Sequence, residues 1–587
     1  MRITFPLLKY PCELLLLILV FFFVFTKDLK NAYDKVIMAE GHGYYAYLPA
    51  VFIYDDLSFK FFNELEPKYY NSHYEPPVNL FVTYFDGISL NKYYPGVSLL
   101  WLPFFLLAHL LALLFHLPAD GYSDIYQYAI GLAGIVYTYA GLRFTQKILQ
   151  HFNVGRPAIF LSLTGILLAT NFLLYAVTWS SQPHAYAFFV IAAFCWYTIQ
   201  FSKNTAANSF YLCMMLVLAA LLLTMRPQNI LILLLLPFFG FFNKSFKEFL
   251  SSVFSFWGIT GILLACFIIF RVNYYWYMQT GRLVLNPYTG EHFYFNNPHF
   301  FETLFSFRKG WLLYSPWVVL GLAGIFFIPG LKKKLNLLFF WIILIYIFSS
   351  WWCWTYSPTS FGQRVYIDFY CLIALTSGLL FEFLHRRKLL WTATIILILA
   401  IPLNIHQMYQ YRKGIITSDF YHAEVYFKNF FVTRRIAQFP IPPDIIDFKK
   451  THALHFQNGS GTVSVKKPFS GSFKVPVPPQ MKPDHCSFLR MRAKLLVTEG
   501  SRPLNLVADF HTKGRSAFYK AFEISRHNFP VNTKSEFEAG MNIPENISEC
   551  DSVLIYVWRP DAPGKDSCQV KNISIEFIHV DPSYELK

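Results

Sequence analysis

The sequence predicts a polytopic α-helical membrane protein with about 11 transmembrane helices and a C-terminal β-sandwich domain. Three observations carry that expectation. Of the 587 residues, 55% are hydrophobic and only 14% are charged, whereas a soluble domain carries about 25% charged residues. Apolar runs of spanning length recur as far as about residue 410, separated by short basic loops. Beyond about Thr451 the hydrophobic period becomes two, the signature of half-buried strands.

The opening segment, Leu14–Phe25, follows Arg2 and Lys9 and is succeeded by no small-residue cleavage site. It reads as an uncleaved first span. Further runs lie near 125–142, 157–178, 185–201, 208–225, 229–243, 251–270, 311–330, 335–350, 364–384 and 389–407. Four basic clusters punctuate them: Arg143/Lys147/Arg156, Lys244/Lys247, Lys332–Lys334 and Arg386–Lys388. Short loops rich in Lys and Arg stay cytoplasmic, so eleven spans place the amino terminus inside and the carboxyl terminus outside. The net charge of +15 is read as cytoplasmic Lys and Arg in short loops that fix topology, rather than as nucleic-acid binding.

One run, residues 97–117, breaks this count, because crossing there would invert every later cluster. Its Pro103 and His109, and the acidic PADGYSD after it, suit a juxtamembrane helix on the outer face. Residues 27–124 are then one long outer loop. The expected domains are a membrane region over 1–410, a connector over 411–450 with a linker signal at IPPD (441–444), and an extracytoplasmic sandwich over 451–587. In that last region Leu489, Met491, Ala493 and Leu495 share one face while Arg490, Arg492 and Lys494 share the other. Glycan binding and a docking role both remain open for it, since fold does not imply function. The nine cysteines show no CxxC spacing. Cys486, Cys550 and Cys568 leave room for one unassigned disulfide.

On this topology the polar motifs fall on one membrane face. Glu40 stands in AEGHGYYAYLP with His42, Tyr44 and Tyr45, and Asp55 and Asp56 follow. Carboxylates near a membrane face have to be solvated, paired or used, and Gly41 and Gly43 permit a tight backbone approach. Lys92 lies in NKYYPG, His184 in QPH, Arg226 in RPQN, and Arg308 and Lys309 in FRKG. Trp351, Trp352, Gln363 and Arg364 belong to WWCWTYSPTSFGQR. Arg364 and Asp368 are four residues apart, which on an α-helix would let them pair. Taken singly, Arg226 and Arg308 suit snorkelling anchors and the tryptophans an interfacial belt. Their convergence with Glu40 points instead to a site for an anionic lipid-linked substrate.

In order along the chain, these motifs resemble the bacterial branch of the GT-C superfamily, akin to dolichyl-phosphate-mannose protein mannosyltransferases and lipid A aminoarabinose transferases. The resemblance covers about residues 1–410. It implies an inverting glycosyltransferase of the bacterial inner membrane, with its site on the periplasmic side. Such an enzyme moves one sugar from a polyprenyl-phosphate carrier to a glycan, lipid or protein acceptor. It maps the family's outer-loop acid onto Glu40 as catalytic base. Arg364, Arg308, Lys309 and Arg226 then become phosphate donors, and Trp351, Trp352 and Tyr45 surfaces for a sugar face. Relatives often carry a second acid in the next outer loop. This chain has Ser180, Ser181, Gln182 and His184 there, which names no certain cofactor and disfavours a divalent metal without excluding one. Cations separate from Glu40 would hold the carrier phosphate, so Glu40→Gln is expected to leave donor affinity near wild type. The rival readings are an en bloc glycan ligase and a transporter or flippase. The latter calls for repeated halves and mid-membrane ionisable groups, and neither is evident in the sequence.

Overall fold

The computed structural model describes residues 10–26, 35–70, 82–85, 88–203, 207–282, 287, 293–351, 360–413, 415–416 and 423–433. Beyond these it describes 452–457, 461–464, 473–477, 487–497, 504–512, 515–524, 534–542, 552–558 and 567–579. Trp352, the 441–444 linker, Cys486 and Cys550 lie outside the described residues.

The chain divides into two compact units, with the division after Tyr411. The first is helical. Among the described residues, six helices are long and apolar enough to cross a membrane: Gly96–Leu114, His184–Ser202, Asn208–Met225, Phe256–Thr280, Arg364–Arg386 and Leu390–Arg412. Shorter apolar helices occupy Pro11–Thr26, Arg156–Leu168 and Trp317–Phe327. The longest helix among the described residues, Asp124–His151, carries more polar residues and forms a spine. Pro11–Thr26 runs antiparallel along it, with Cys12 at Gln146 and Phe23 at Tyr128. The expected run at 229–243 is not an α-helix. Pro227 opens a 3-10 segment over Pro227–Leu235, followed by turns that pass through Gly240 in the left-handed region (φ 81°).

Small residues let the helices close on one another where hydrocarbon supplies no driving force. At Gly165, a Cβ would lie 1.9 Å from the Trp317 indole. That indole belongs to a set of fully buried tryptophans, Trp101, Trp276, Trp311, Trp317 and Trp341.

The Gly96–Leu114 helix has a mean hydropathy of 2.3, yet two thirds of it is not buried within the protein. Its contacts lay it antiparallel along the 124–151 helix. Gly96 abuts the Thr224–Met225 backbone, where the Asn208–Met225 helix stops. Farther along, its Leu100 carbonyl accepts from Tyr137 and its His109 meets Tyr126. It therefore overlaps only the amino-terminal half of the 124–151 spine. Past its carboxyl end, the Asp120 carbonyl accepts from Tyr54, and the adjacent Leu57 carbonyl accepts from Gln279 near the end of the Phe256–Thr280 helix.

The second unit contains two antiparallel sheets. One orders Phe473–Pro476, Ser552–Trp558, Leu504–Thr512 and Arg515–Ile524. The other orders His452–Gln457, Ser567–His579, Ser487–Val497 and Lys534–Asn542, with Gly461–Ser464 also paired to Ser567–His579. In register, Leu489 lies opposite Phe577 and Met491 opposite Ile575, all four buried. On the alternate face Arg490 is buried too, paired with its cross-strand neighbour Glu576 at 3.4 Å. Opposite charges directly across a ladder stabilise it.

Candidate active site

Glu40 opens the six-residue helix Glu40–Tyr45. Two features press this segment into the bundle. Gly41 has no room for a side chain, since a Cβ there would lie 2.1 Å from Ser181 Oγ and 2.6 Å from Ser181 Cβ. The Met38 amide just before it also donates to Ser181 Oγ at 3.4 Å. Glu40 is thereby delivered beside the turn that precedes the His184–Ser202 helix.

There Glu40 Oε1 forms an ion pair with Arg364 Nη2. The Arg364 side chain is 4% exposed and the Glu40 side chain 29%, so the carboxylate keeps an open edge. Arg364 Nη1 donates to Gln182 Oε1 at 3.3 Å. Burial pushes the Glu40 carboxyl up, but the positive charges of Arg364 and Arg226 and the Arg364 hydrogen bond outweigh it. The net effect holds Glu40 below its ordinary value, ionised at neutral pH.

A second unit lies alongside and is wholly buried. His184 Nδ1 donates to Asp368 Oδ1 at 2.7 Å, and Asn229 Nδ2 donates to Asp368 Oδ2 at 2.8 Å. Arg226 Nη1 stands 3.4 Å from Asp368 Oδ2 and 2.8 Å from His184 Nδ1. An ionised carboxylate only accepts, so Asp368 selects the Nδ1-protonated imidazole, and the guanidinium belongs to the carboxylate rather than to the ring. With its amide oriented as its neighbours require, Gln228 accepts from Arg226 Nη2 at 2.8 Å and from Nε at 3.0 Å. His184 heads one helix, Arg226 ends another, and Asp368 leads into a third. Two acids and two guanidiniums thus balance at one end of the bundle.

Arg364 and Asp368 do not pair with each other. Residues Arg364–Phe369 form a 3-10 helix. At three residues per turn, positions four apart are rotated by about 120° rather than aligned. Arg364 turns to Glu40 and Asp368 to His184, Asn229 and Arg226. Arg364, expected among the cations that hold the phosphate apart from the acid, is therefore the acid's own partner.

The other expected residues are placed as follows. Gln363 is fully buried beside Arg364. Lys309 is buried and Arg308 half-buried, just ahead of Trp311. The Trp311 indole stacks on Tyr366 at 3.9 Å and its Nε1 donates to Tyr370 at 3.1 Å, which keeps FRKG near the Arg364 segment. Trp351 is half-buried and stacks on Phe293 at 5.5 Å. Lys92 Nζ lies 5.6 Å from the Tyr93 ring centroid. Three residues have other employment. Tyr45 is fully buried, donates to the Gly121 carbonyl at 2.5 Å and packs on Trp101 and Tyr122, so it offers no face to a sugar. Asp56 ties its own loop, accepting from the Ser58, Lys60 and Phe61 amides. Asp55 is exposed, in the left-handed region at φ 47°. His42 packs among Phe62, Tyr70 and Tyr122, and burial pushes its imidazole down to about 3, leaving it neutral.

Sequence reasoning missed Gln182, Asn229 and the partners of Asp368. Two signals were present: QPH and RPQN each pair a cation or imidazole with a neighbouring amide. Among the described residues, no group of three or more His, Cys, Asp or Glu is gathered as a metal would need. No family model matches the chain, and no curated protein matches it.

Proposed function

We propose that this protein is a GT-C-like glycosyltransferase that moves a sugar from a polyprenyl-phosphate carrier to an extracytoplasmic acceptor. The observation that carries the reading is the part-exposed Glu40 carboxylate held by buried Arg364, in a polar nest formed by the ends of apolar helices. A lipid-linked sugar keeps its polyprenyl chain in hydrocarbon and its phosphate at the interface. Its enzyme therefore needs cations at the mouth of a helical bundle and a carboxylate within reach of an incoming hydroxyl. Glu40 acts as general base on the acceptor hydroxyl as it attacks the anomeric carbon, inverting the configuration. Arg364 stabilises the charge that develops on the departing phosphate, with Arg308 and Lys309 as further anionic-headgroup contacts.

On this reading the Gly96–Leu114 helix is juxtamembrane, as its half-overlap with the 124–151 spine suggests, and about 11 other segments cross. The site and the C-terminal sheets, taken as a sandwich, then face the periplasm of a bacterial inner membrane. The acceptor is a glycan, a lipid or a protein.

The test is carrier-dependent transfer by purified protein given labelled polyprenyl-phosphate sugars. Glu40→Gln should reduce turnover by roughly 10²–10⁴-fold. Near-normal turnover in that variant would remove Glu40 from catalysis, and failure of every polyprenyl-phosphate sugar to react would overturn the reading.

A further inference from the structure

A base must be free to take a proton, yet Glu40 in this structure is bound to Arg364 and its acidity is raised by that partner. The one guanidinium best placed for the carrier phosphate is the same group. Resting on the function proposed above, we propose that Arg364 is a counterion shared in turn by Glu40 and the donor phosphate, so that the arriving phosphate itself releases the base.

The geometry permits the exchange. Two of the contacts that hold Arg364 are Nη2 on Glu40 and Nη1 on Gln182 at 3.3 Å. Nη2 can leave the carboxylate while the Gln182 contact keeps the guanidinium in place. Arg226 cannot substitute for it. Its Nη1 lies against Asp368 and its Nη2 and Nε are taken by Gln228.

The charges balance through the step. Before reaction the donor is a phosphodiester bearing one negative charge, Glu40 bears another, and Arg364 is positive. The acceptor oxygen forms a bond to the anomeric carbon, and the bond from that carbon to the phosphate oxygen breaks with its electron pair on the phosphate. The hydroxyl proton passes to Glu40. Afterwards the polyprenyl phosphate is a dianion, Glu40 is neutral, and Arg364 is still positive. The net charge is −1 throughout. Negative charge moves from carboxylate to phosphate beside a single cation, so the step changes no net charge in the site. The base is available only when the donor is seated, which imposes donor-before-acceptor order.

The experiment is direct binding of a polyprenyl monophosphate, with no sugar and no turnover, to the full-length protein in nanodiscs. Wild-type protein has to break the ion pair to bind it. Glu40→Gln removes the opposing charge and leaves Arg364 a hydrogen bond to an uncharged amide, without the Coulombic attraction of the ion pair. Its dissociation constant should therefore fall by about tenfold. Glu40→Ala should tighten binding in the same direction and guards against a folding defect peculiar to Gln. In an Arg364→Met background neither substitution should tighten binding, and this coupling separates exchange from general relief of repulsion. Unchanged or weaker binding in both folded Glu40 variants would overturn the proposal, as would tightening that persists without Arg364. Wild-type protein that binds no better than it binds inorganic phosphate would instead overturn the function on which the proposal rests.

Discussion

Replacing Asp368 with Asn probes whether the buried unit beside Glu40 is a true ionic assembly. Asp368 is fully buried, and its two oxygens receive His184 Nδ1 at 2.7 Å, Asn229 Nδ2 at 2.8 Å and the Arg226 guanidinium at 3.4 Å. Asn offers one acceptor and one donor where the site supplies donors from every side. The single remaining oxygen can satisfy one direction, while the new amide faces either the imidazole N–H or the Asn229 amide. Arg226, only 5% exposed, would keep its charge while losing the carboxylate 3.4 Å away. Removing one member of a buried pair costs about 3–5 kcal/mol, and a water-poor site puts the expectation at the upper end. The assay is thermal unfolding in detergent at a fixed scan rate, followed by tryptophan fluorescence. The midpoint should drop by several degrees. Adding Arg226→Met should restore part of the loss, because the double variant removes both charges of the buried pair. A midpoint within about 1 °C of wild type for Asp368→Asn, where a loss of this size should be plain, would refute the reasoning, as would a double variant worse than the sum of the singles.

Gly41→Ala should abolish transfer while leaving the fold intact, since its Cβ meets Ser181 Oγ at 2.1 Å and must push Glu40 away from Arg364. Ser181→Gly in the same chain should restore most activity, and failure of that rescue would assign the loss to another cause. Asp120 accepts from Lys68 Nζ at 2.7 Å and from the Tyr122 and Ser123 amides at 3.1 and 3.0 Å. Burial pushes its carboxyl up, but these bonds and that with Tyr69 outweigh it and hold it below its ordinary value. A depressed carboxyl contributes stability that is present above the unfolded value of about 3.9 and is lost as pH falls through the folded one. Hydrogen exchange at residues 120–123 should therefore rise as pH drops below about 4 beyond its intrinsic change, and Asp120→Asn should flatten that response. Cysteines placed at Asp120 and Gly281 should both react with an impermeant reagent from outside and one at Lys333 should not. Labelling of Asp120 and Gly281 from opposite sides would make Gly96–Leu114 a crossing helix.

Much was legible along the chain because it depends on local chemistry. A stretch of apolar residues must form a helix if it enters hydrocarbon, where every backbone group needs an internal partner. Alternation of Leu489, Met491 and Ala493 with Arg490 and Arg492 must form a strand if one face is to be buried. The polar outliers Glu40, His184, Arg226 and Arg364 also stood out, since each interrupts or ends such a run. What the chain could not reveal was who partners whom. The spacing of Arg364 and Asp368 implied an α-helical pair, and a 3-10 turn sent them to different partners. Glu40 and Arg364 are 324 residues apart, and their contact exists only because Gly41 lets the first loop press against Ser181. Tyr45 and Asp56 looked like ligands and were claimed by the Gly121 carbonyl and by a loop's own amides. Residue type sets which groups must be satisfied; only the packing of distant segments decides which of them satisfy one another and which Coulombic partner tunes a carboxylate, because both depend on distances of a few ångströms that no local pattern encodes.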